Sequence, residues 1–309
     1  MAPNISVIIC THNPRRDYLE RALNALKAQT LSMEHWELLL IDNASDEPLV
    51  KNWDLSWHPH ARHIREEDLG LTPARLCGIR ESLGEWLLFI DDDNVLRRDY
   101  LSNAVQIIQE NHLIGALGAG RILPEFEITP KPEVVPFVKY LALRNESHAH
   151  YSNEVGFNKH IPYGAGLCVA RRFAQLYSQS CLSNSYARTL GRKGNELLGC
   201  EDVDLVFNVC SNEYIAGTTP QLELLHLIPS FRTETDYLIR IAAGTAKSFY
   251  HLYRIWKLNP DVKENPVWRW RWHWKSRLRL KGLGLRIFLA EQKAIKEARE
   301  FWQHNPDIK

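Results

Sequence analysis

Trp86-Leu87-Leu88-Phe89-Ile90 runs directly into Asp91-Asp92-Asp93. Five apolar residues bounded by polar ones predict a buried strand. Carboxylates at its C-terminal end stand where open α/β sheets bind their ligands. Adjacent carboxylates repel, and each is costly to desolvate. A divalent cation is the simplest compensation, because hard Mg²⁺ or Mn²⁺ takes one or two carboxylates together with substrate phosphates. An isolated run of three aspartates reads equally well as a solvated strand-end turn that caps the next helix. The surrounding chain decides between the two.

Strand and helix signals alternate on either side of that junction. Ile5-Ser6-Val7-Ile8-Ile9-Cys10 is a β-rich run, and 15–29 then carries Leu19, Ala22, Leu23 and Leu26 at helical spacing. Trp36-Glu37-Leu38-Leu39-Leu40-Ile41 predicts a second strand ending at Asp42. A short strand near His63 and Ile64, helices over 72–82 and 98–111, and a strand over 114–120 complete the first half. Strands separated by helices of this length predict parallel βαβ units, hence the α/β class with a doubly wound sheet. Between 124 and 162 the texture changes. Pro124, Pro130, Pro132 and Pro136 interrupt regular structure, and the stretch reads as a long excursion over the active face. Regularity returns over 161–170, then in a helix over 201–213, a strand over 221–226 and a helix over 234–258.

Composition narrows the class. The chain has 309 residues, 45% of them hydrophobic and 24% charged, with a formal net charge of +1. That is ordinary soluble globular composition, without the charge excess that would imply a nucleic-acid partner. Six cysteines are scattered without a C-x-x-C pair, which predicts reduced thiols in apolar surroundings. No apolar run reaches bilayer-spanning length and no leader is expected before Ile5, so a cytoplasmic location is expected.

Polar signals recur at predicted strand ends. Thr11-His12-Asn13 follows the first strand, Asp42-Asn43-Ala44-Ser45-Asp46 the second, and Gly70-Leu71-Thr72-Pro73-Ala74-Arg75 opens a helix before Asp91-Asp92-Asp93. Each alone is a routine turn or cap. In a doubly wound sheet their recurrence would gather them into one crevice.

Ile5-Ser6-Val7-Ile8-Ile9-Cys10-Thr11-His12-Asn13, Ile41-Asp42-Asn43-Ala44-Ser45, Phe89-Ile90-Asp91-Asp92-Asp93, Tyr163-Gly164-Ala165-Gly166-Leu167 and Gly199-Cys200-Glu201-Asp202-Val203-Asp204-Leu205 together resemble a family-2-type glycosyltransferase. The resemblance runs in order and spacing over roughly 5–226. It implies the GT-A fold: a doubly wound, mostly parallel, Rossmann-like sheet flanked by helices, here with a helical C-terminal extension. It also implies a division of the chain into a glycosyltransferase domain over 1–230 and a Trp/Arg-rich extension over 231–309. Within the domain, 1–120 would bind the nucleotide sugar and 121–230 would carry acceptor binding and catalysis.

The implied donor is a nucleotide-diphosphate sugar carrying UDP, GDP or dTDP, and the implied acceptor is a glycan or lipid-linked hydroxyl in surface polysaccharide assembly. Asp42 matches the residue that contacts the nucleotide base, with Thr11 and Asn13 lining the same pocket. The D-x-D element falls on Asp91 and Asp93, around Asp92. Asp93 is the expected direct ligand of Mn²⁺ or Mg²⁺, Asp91 faces the ribose or a metal-bound water, and His226 resembles a further ligand. Arg75, and less strongly Arg80, would meet the donor phosphates, and Gly166 would let backbone approach the sugars. Glu201 and Asp202 match the family's E-D element, with Asp202 as the base. A metal held against the diphosphate stabilises the charge that grows there, and a carboxylate accepts the proton of the attacking hydroxyl. One base opposite a metal-held leaving group implies direct displacement and inversion at the anomeric carbon. Cys200 stands where glycine is common and His12 where tyrosine is frequent.

Two other classes compete. A sugar nucleotidyltransferase needs a glycine-rich loop after its first strand, and Thr11-His12-Asn13-Pro14 has no glycine. A nucleotide- or carbohydrate-binding pseudoenzyme would have no use for a base at Asp202. The tail is a separate question. Trp268-Arg269-Trp270-Arg271-Trp272-His273-Trp274-Lys275 alternates indole with base, and 267–286 holds seven Lys or Arg and no acid. Indoles and bases suit a membrane surface. In extended form the indoles would face one way, for packing on the domain or in a homodimer. Stacking on acceptor sugars is the third reading.

Overall fold

The computed structural model of the chain describes residues 5–183, 190–192, 194, 197–258 and 279–305. Four strands form the first half of one sheet: β1 (Ile5–Thr11), β2 (Trp36–Asn43), β3 (Ala61–Glu66) and β4 (Trp86–Ile90). They lie in the order β3-β2-β1-β4, all parallel. Every residue of β1, β2 and β4 is buried, which is why these strands read as unbroken apolar runs: helices cover both faces of a parallel sheet. Helix α1 (Arg16–Lys27) buries Leu19, Ala22, Leu23 and Leu26, the stripe the spacing predicts. Helices α2 (Leu71–Glu81) and α3 (Tyr100–Glu110) make the other early crossovers.

Past β4 the sheet continues through β9 (Leu167–Ala170), β6 (Ile114–Phe126), β10 (Ile215–Ile228) and β5 (Asn94–Leu96). β9 runs antiparallel to both of its neighbours, while β6 and β10 share a long parallel ladder. Two short strands, β7 (Arg144–Asn145) and β8 (His150–Ser152), pair antiparallel with β6 and β10. The sheet is therefore mostly parallel along its long ladders, as expected, with short reversed strands. Three of these, β7, β8 and β9, come from or directly after the proline-rich excursion, which also holds a 3₁₀ turn at Val135–Leu141.

Several boundaries differ from the sequence reading. β6 and β10 each extend beyond the predicted apolar stretch, because their mutual pairing satisfies backbone that polar side chains alone would leave in doubt. The ladder is irregular between Thr219 and Glu223, around Pro220, which has no N–H to donate. Helix α4 (Arg171–Ser183) went unpredicted; it buries Phe173, Ala174, Tyr177 and Cys181 and otherwise carries polar residues.

Helices α5 (Glu201–Ser211), α6 (Thr235–Ile255) and α7 (Gly282–His304) follow. Leu238, Ile241 and Ala242 of α6 meet Leu283 and Ile287 of α7 in a second apolar core shared with Val134 and Ile228. Trp302 closes the far end, its Nε1 donating to His251 Nδ1 at 2.9 Å. All six cysteines are buried free thiols. Among the described residues no helix is long and apolar enough to cross a membrane. The tryptophan-basic run 268–275 lies outside the described residues, and so do the three readings attached to it.

Candidate active site

The C-terminal ends of β1, β2 and β4 open on one cleft of about 390 Å³. Because β9 runs backwards, the segment leading into it, Tyr163-Gly164-Ala165, reaches the same edge, where it meets the start of α5 and the end of β10. Thr11, Arg75, Asp91, Asp92, Asp93, Glu201, Asp202 and His226 line this cleft. Asn13, Asp42 and Gly166 do not.

Asp93 is 4% exposed. Asn94 Nδ2 donates to its Oδ1 at 2.9 Å, and Arg232 Nη1 donates to its Oδ2 at 2.8 Å. His226 Nε2 lies 3.5 Å from that same Oδ2. The contact joins distant parts of the chain and follows from register: β5 pairs antiparallel with β10 and sets Asn94 opposite His226. Burial works to raise the Asp93 carboxyl, but the charge and hydrogen bond of Arg232 oppose it, and the group is held below the usual carboxylate range. Its neighbour behaves oppositely. Burial, then the charge of Asp93, pushes Asp92 up to about 7, against a hydrogen bond from Thr11 Oγ1.

A divalent cation fits the Asp93–His226 pair by donor chemistry: one hard carboxylate oxygen and one imidazole nitrogen face each other on the wall of the cleft. Among the described residues no three His, Cys, Asp or Glu groups gather closely enough to form a closed site. Such a cation would therefore draw its remaining ligands from substrate phosphates and water, a usual arrangement for Mg²⁺-type sites. Asp91 does not join the pair. Its side chain is 38% exposed, with Arg75 Nη2 3.8 Å away.

Arg75 lies across the floor. It is 4% exposed, and its Nη1 donates to Glu201 Oε1 at 2.8 Å. Gly164 leaves room for it, since a Cβ there would stand 3.0 Å from Arg75 Nη1 and collide with Nη2, so the guanidinium would have to shift. Burial pushes Glu201 up to about 7, against the pull of the Arg75 charge. Arg80, by contrast, is an exposed helix residue paired with Glu81 at 2.9 Å.

Asp202 is held by two backbone donors. Gly164 N–H reaches Oδ2 at 2.6 Å and Val203 N–H reaches Oδ1 at 2.8 Å, so the start of α5 and the approach to β9 together fix its direction. Cys200 precedes it with φ of 74°, a left-handed conformation that glycine adopts freely and other residues adopt at a cost of about 1 kcal/mol or more. That accounts for the glycine the resemblance leads one to expect there.

The residues outside the cleft have structural duties. Asp42 Oδ1 accepts Ser45 N–H at 3.0 Å, and Oδ2 accepts Leu49 N–H at 3.0 Å and Arg65 Nη1 at 2.9 Å. Burial raises this carboxyl, yet these donors together bring it below its ordinary value. Asn13 ties the loops after β1 and β2 together through Ser45 and Asp46. Gly166, with φ of 78°, faces the core: its carbonyl accepts the Tyr100 hydroxyl at 2.6 Å, and a Cβ would run into that hydroxyl. Sequence reasoning missed Asn94, Arg232 and Arg192, the last two of which line the cleft. Asn94 directly follows the aspartates and could have been read as their orienter; nothing local marks the two arginines.

Asp204, one turn into α5, gives the first testable consequence. It is 3% exposed and its Oδ1 accepts Trp256 Nε1 at 2.7 Å. Burial pushes its carboxyl from 3.8 up to about 6, although the indole works downward. Between those values the folded chain keeps a proton that the unfolded chain has released, so this group's contribution to stability falls as pH rises through about 4 to 6. The loss amounts to roughly 3 kcal/mol at most. Asp204→Asn retains an acceptor for the indole and abolishes this slope. Urea unfolding at pH 4.5 and 7 reads the difference, and a variant with the wild-type slope overturns the assignment.

Residues 6–174 match the model of glycosyl transferase family 2, and the chain belongs to that family. An uncharacterized glycosyltransferase of Haemophilus influenzae is 31% identical over 107 residues, covering 35% of each chain. The putative teichuronic acid biosynthesis glycosyltransferase TuaG of Bacillus subtilis is 26% identical over 112 residues, covering 35% of this chain and 43% of its own. The match thus spans less than half the length of either relative. The structure of the mannosyltransferase PcManGT from Pyrobaculum calidifontis, in complex with GDP-Man and Mn²⁺, superposes with a TM-score of 0.57 at 18% identity, over 99% of this chain and 80% of that one. At that identity the likeness establishes the fold, which is GT-A.

Proposed function

We propose that the chain is a metal-dependent, inverting glycosyltransferase that moves one sugar from a UDP-, GDP- or dTDP-sugar to a hydroxyl of a glycan or lipid-linked acceptor. The observation that carries this reading is that Asp93 with His226, and Asp202, line one cleft at the C-terminal edge of the sheet. Mn²⁺ or Mg²⁺ bound there would neutralise the charge growing on the departing diphosphate. Asp93 and His226 would hold it. Asp202, steadied by Gly164 and Val203, accepts the proton of the acceptor hydroxyl as its oxygen bonds to the anomeric carbon and the bond from that carbon to the diphosphate oxygen breaks. Attack from the face opposite the leaving group inverts the anomeric centre.

Arg75, locked to Glu201, lends positive charge to the floor beneath the donor. Asp42, Thr11 and Asn13 belong to the nucleotide end, Asp42 and Asn13 by shaping loops more than by lining the cleft. Domain limits of 1–230 and 231–309, a role in surface polysaccharide assembly, and a contact of the C-terminal extension with a membrane surface or a second copy belong to the same proposal. The kinship with TuaG supports the polysaccharide role.

The test is turnover of UDP-, GDP- and dTDP-sugars with Mn²⁺, with or without chelator, and proton NMR of the released sugar. Chelator-sensitive release of one nucleoside diphosphate with an inverted product is expected. No turnover of any of these donors, turnover indifferent to chelator, or a retained anomer would each refute the reading.

A further inference from the structure

Arg232 sits in the 3₁₀ turn Ser230–Thr233, between β10 and α6, and no motif calls attention to it. Its Nη1 lies 2.8 Å from Asp93 Oδ2 and 3.2 Å from His226 Nε2. Arginine only donates hydrogen bonds, so the imidazole Nε2 accepts here and its single lone pair is in use. The two atoms best suited to a divalent cation are therefore both engaged by one guanidinium nitrogen. A carboxylate can share its charge between two cations, but an Nε2 lone pair serves only one partner. Arginine and metal exclude each other at His226.

The guanidinium is not fully satisfied where it lies. Arg232 Nε is buried without a partner among the described residues, as is His226 Nδ1. Arg232 lines the cleft and keeps 18% of its side chain exposed, so solvent-filled space adjoins it. Burying an unpaired donor costs about 1–3 kcal/mol, which makes the seated position the less difficult one to leave.

We propose that Arg232 is an internal cation that closes the Asp93–His226 pair in the metal-free protein and gives up its place when a divalent ion arrives, turning its guanidinium into the cleft. This rests on the assignment of Asp93 and His226 as the metal-holding pair. The seated arginine neutralises Asp93, so the carboxylate cluster is never left uncompensated before loading. Metal affinity is lowered by whatever the arginine contributes to that contact.

The test is Mn²⁺ binding to the protein without nucleotide, read by the EPR signal of free manganese. Arg232→Gln should bind Mn²⁺ on the order of tenfold more tightly than wild type, the worth of one hydrogen bond to a charged group. Arg232→Lys, which keeps the positive charge, should stay near wild type. Asp93→Asn should bind weakly, and adding Arg232→Gln to it should bring no gain. If Arg232→Gln binds no more tightly than wild type while Asp93→Asn abolishes binding, the exchange fails and the metal assignment survives. If Asp93→Asn binds like wild type, the metal assignment itself fails and the exchange with it. Should Arg232→Gln not fold, wild-type crystals soaked in MnCl₂ decide: manganese on Asp93 with Arg232 displaced upholds the exchange, and manganese beside an unmoved Arg232–Asp93–His226 contact overturns it.

Discussion

Asp202→Asn should lower turnover by about 10²–10⁴-fold, the usual worth of a positioned proton acceptor. An amide of nearly the same shape keeps an oxygen for Gly164 N–H or Val203 N–H, so the start of α5 stays in place. What disappears is the capacity to take the acceptor's proton. Donor KM should change little, because a base at Asp202 would act on the attacking hydroxyl in the transition state and not on the nucleotide. Thermal stability should fall by no more than about 1 kcal/mol, the value of one backbone hydrogen bond. Steady-state kinetics with the donor identified by the turnover panel provide the measurement. Turnover within threefold of wild type would show that the proton leaves by another route.

Arg75→Met carries the second large effect, and it falls on stability. The side chain is of comparable length but cannot pair with Glu201, whose carboxylate is 5% exposed. Breaking a buried ion pair by removing one partner costs about 3–5 kcal/mol, since the remaining charge is uncompensated. Burial already pushes Glu201 up to about 7, and without Arg75 it rises further. The glutamate then escapes the penalty by taking a proton at low pH. The loss should therefore be largest at pH 8 and smaller at pH 6, the direction expected for a carboxyl raised in the folded state. Urea unfolding at both values measures it, and adding Glu201→Gln to Arg75→Met should recover most of the loss at pH 8. Equal losses at pH 6 and 8 would mean that the cost is packing and not charge.

Much of this architecture could be read from residue order. β1, β2 and β4 are apolar runs because both their faces are covered, and α1 shows its buried stripe at the right spacing. Of the polar residues at the ends of those strands, Thr11, His12, Asn43 and the three aspartates line one cleft, while Asn13, Asp42, Ser45 and Asp46 do not. The quoted motifs also led to the family that residues 6–174 match. Helix α4 escaped notice because its polar residues obscure the few it buries. β9 was placed within a longer regular stretch, but its direction was not legible: four apolar residues look the same parallel or antiparallel. Gly166 was assigned to the sugars on the strength of its type, yet its left-handed φ serves a bend packed on Tyr100.

Local order along the chain was enough to set the buried strands β1, β2 and β4, the sheet edge where the cleft opens and the acidic groups there, since periodicity and strand-end polarity are properties of neighbouring residues. Which charges those acids face was decided only by folding. Arg75 meets Glu201, and Arg232 meets Asp93 from 139 residues away, through pairings of β10 with β5 and of β9 with β4 that no local signal encodes. Charge compensation acts through space, at about 3 Å and without regard to position in the chain. For that reason the pairing partners of the aspartates, and the arginine seated where a metal would bind, belong to the tertiary structure alone.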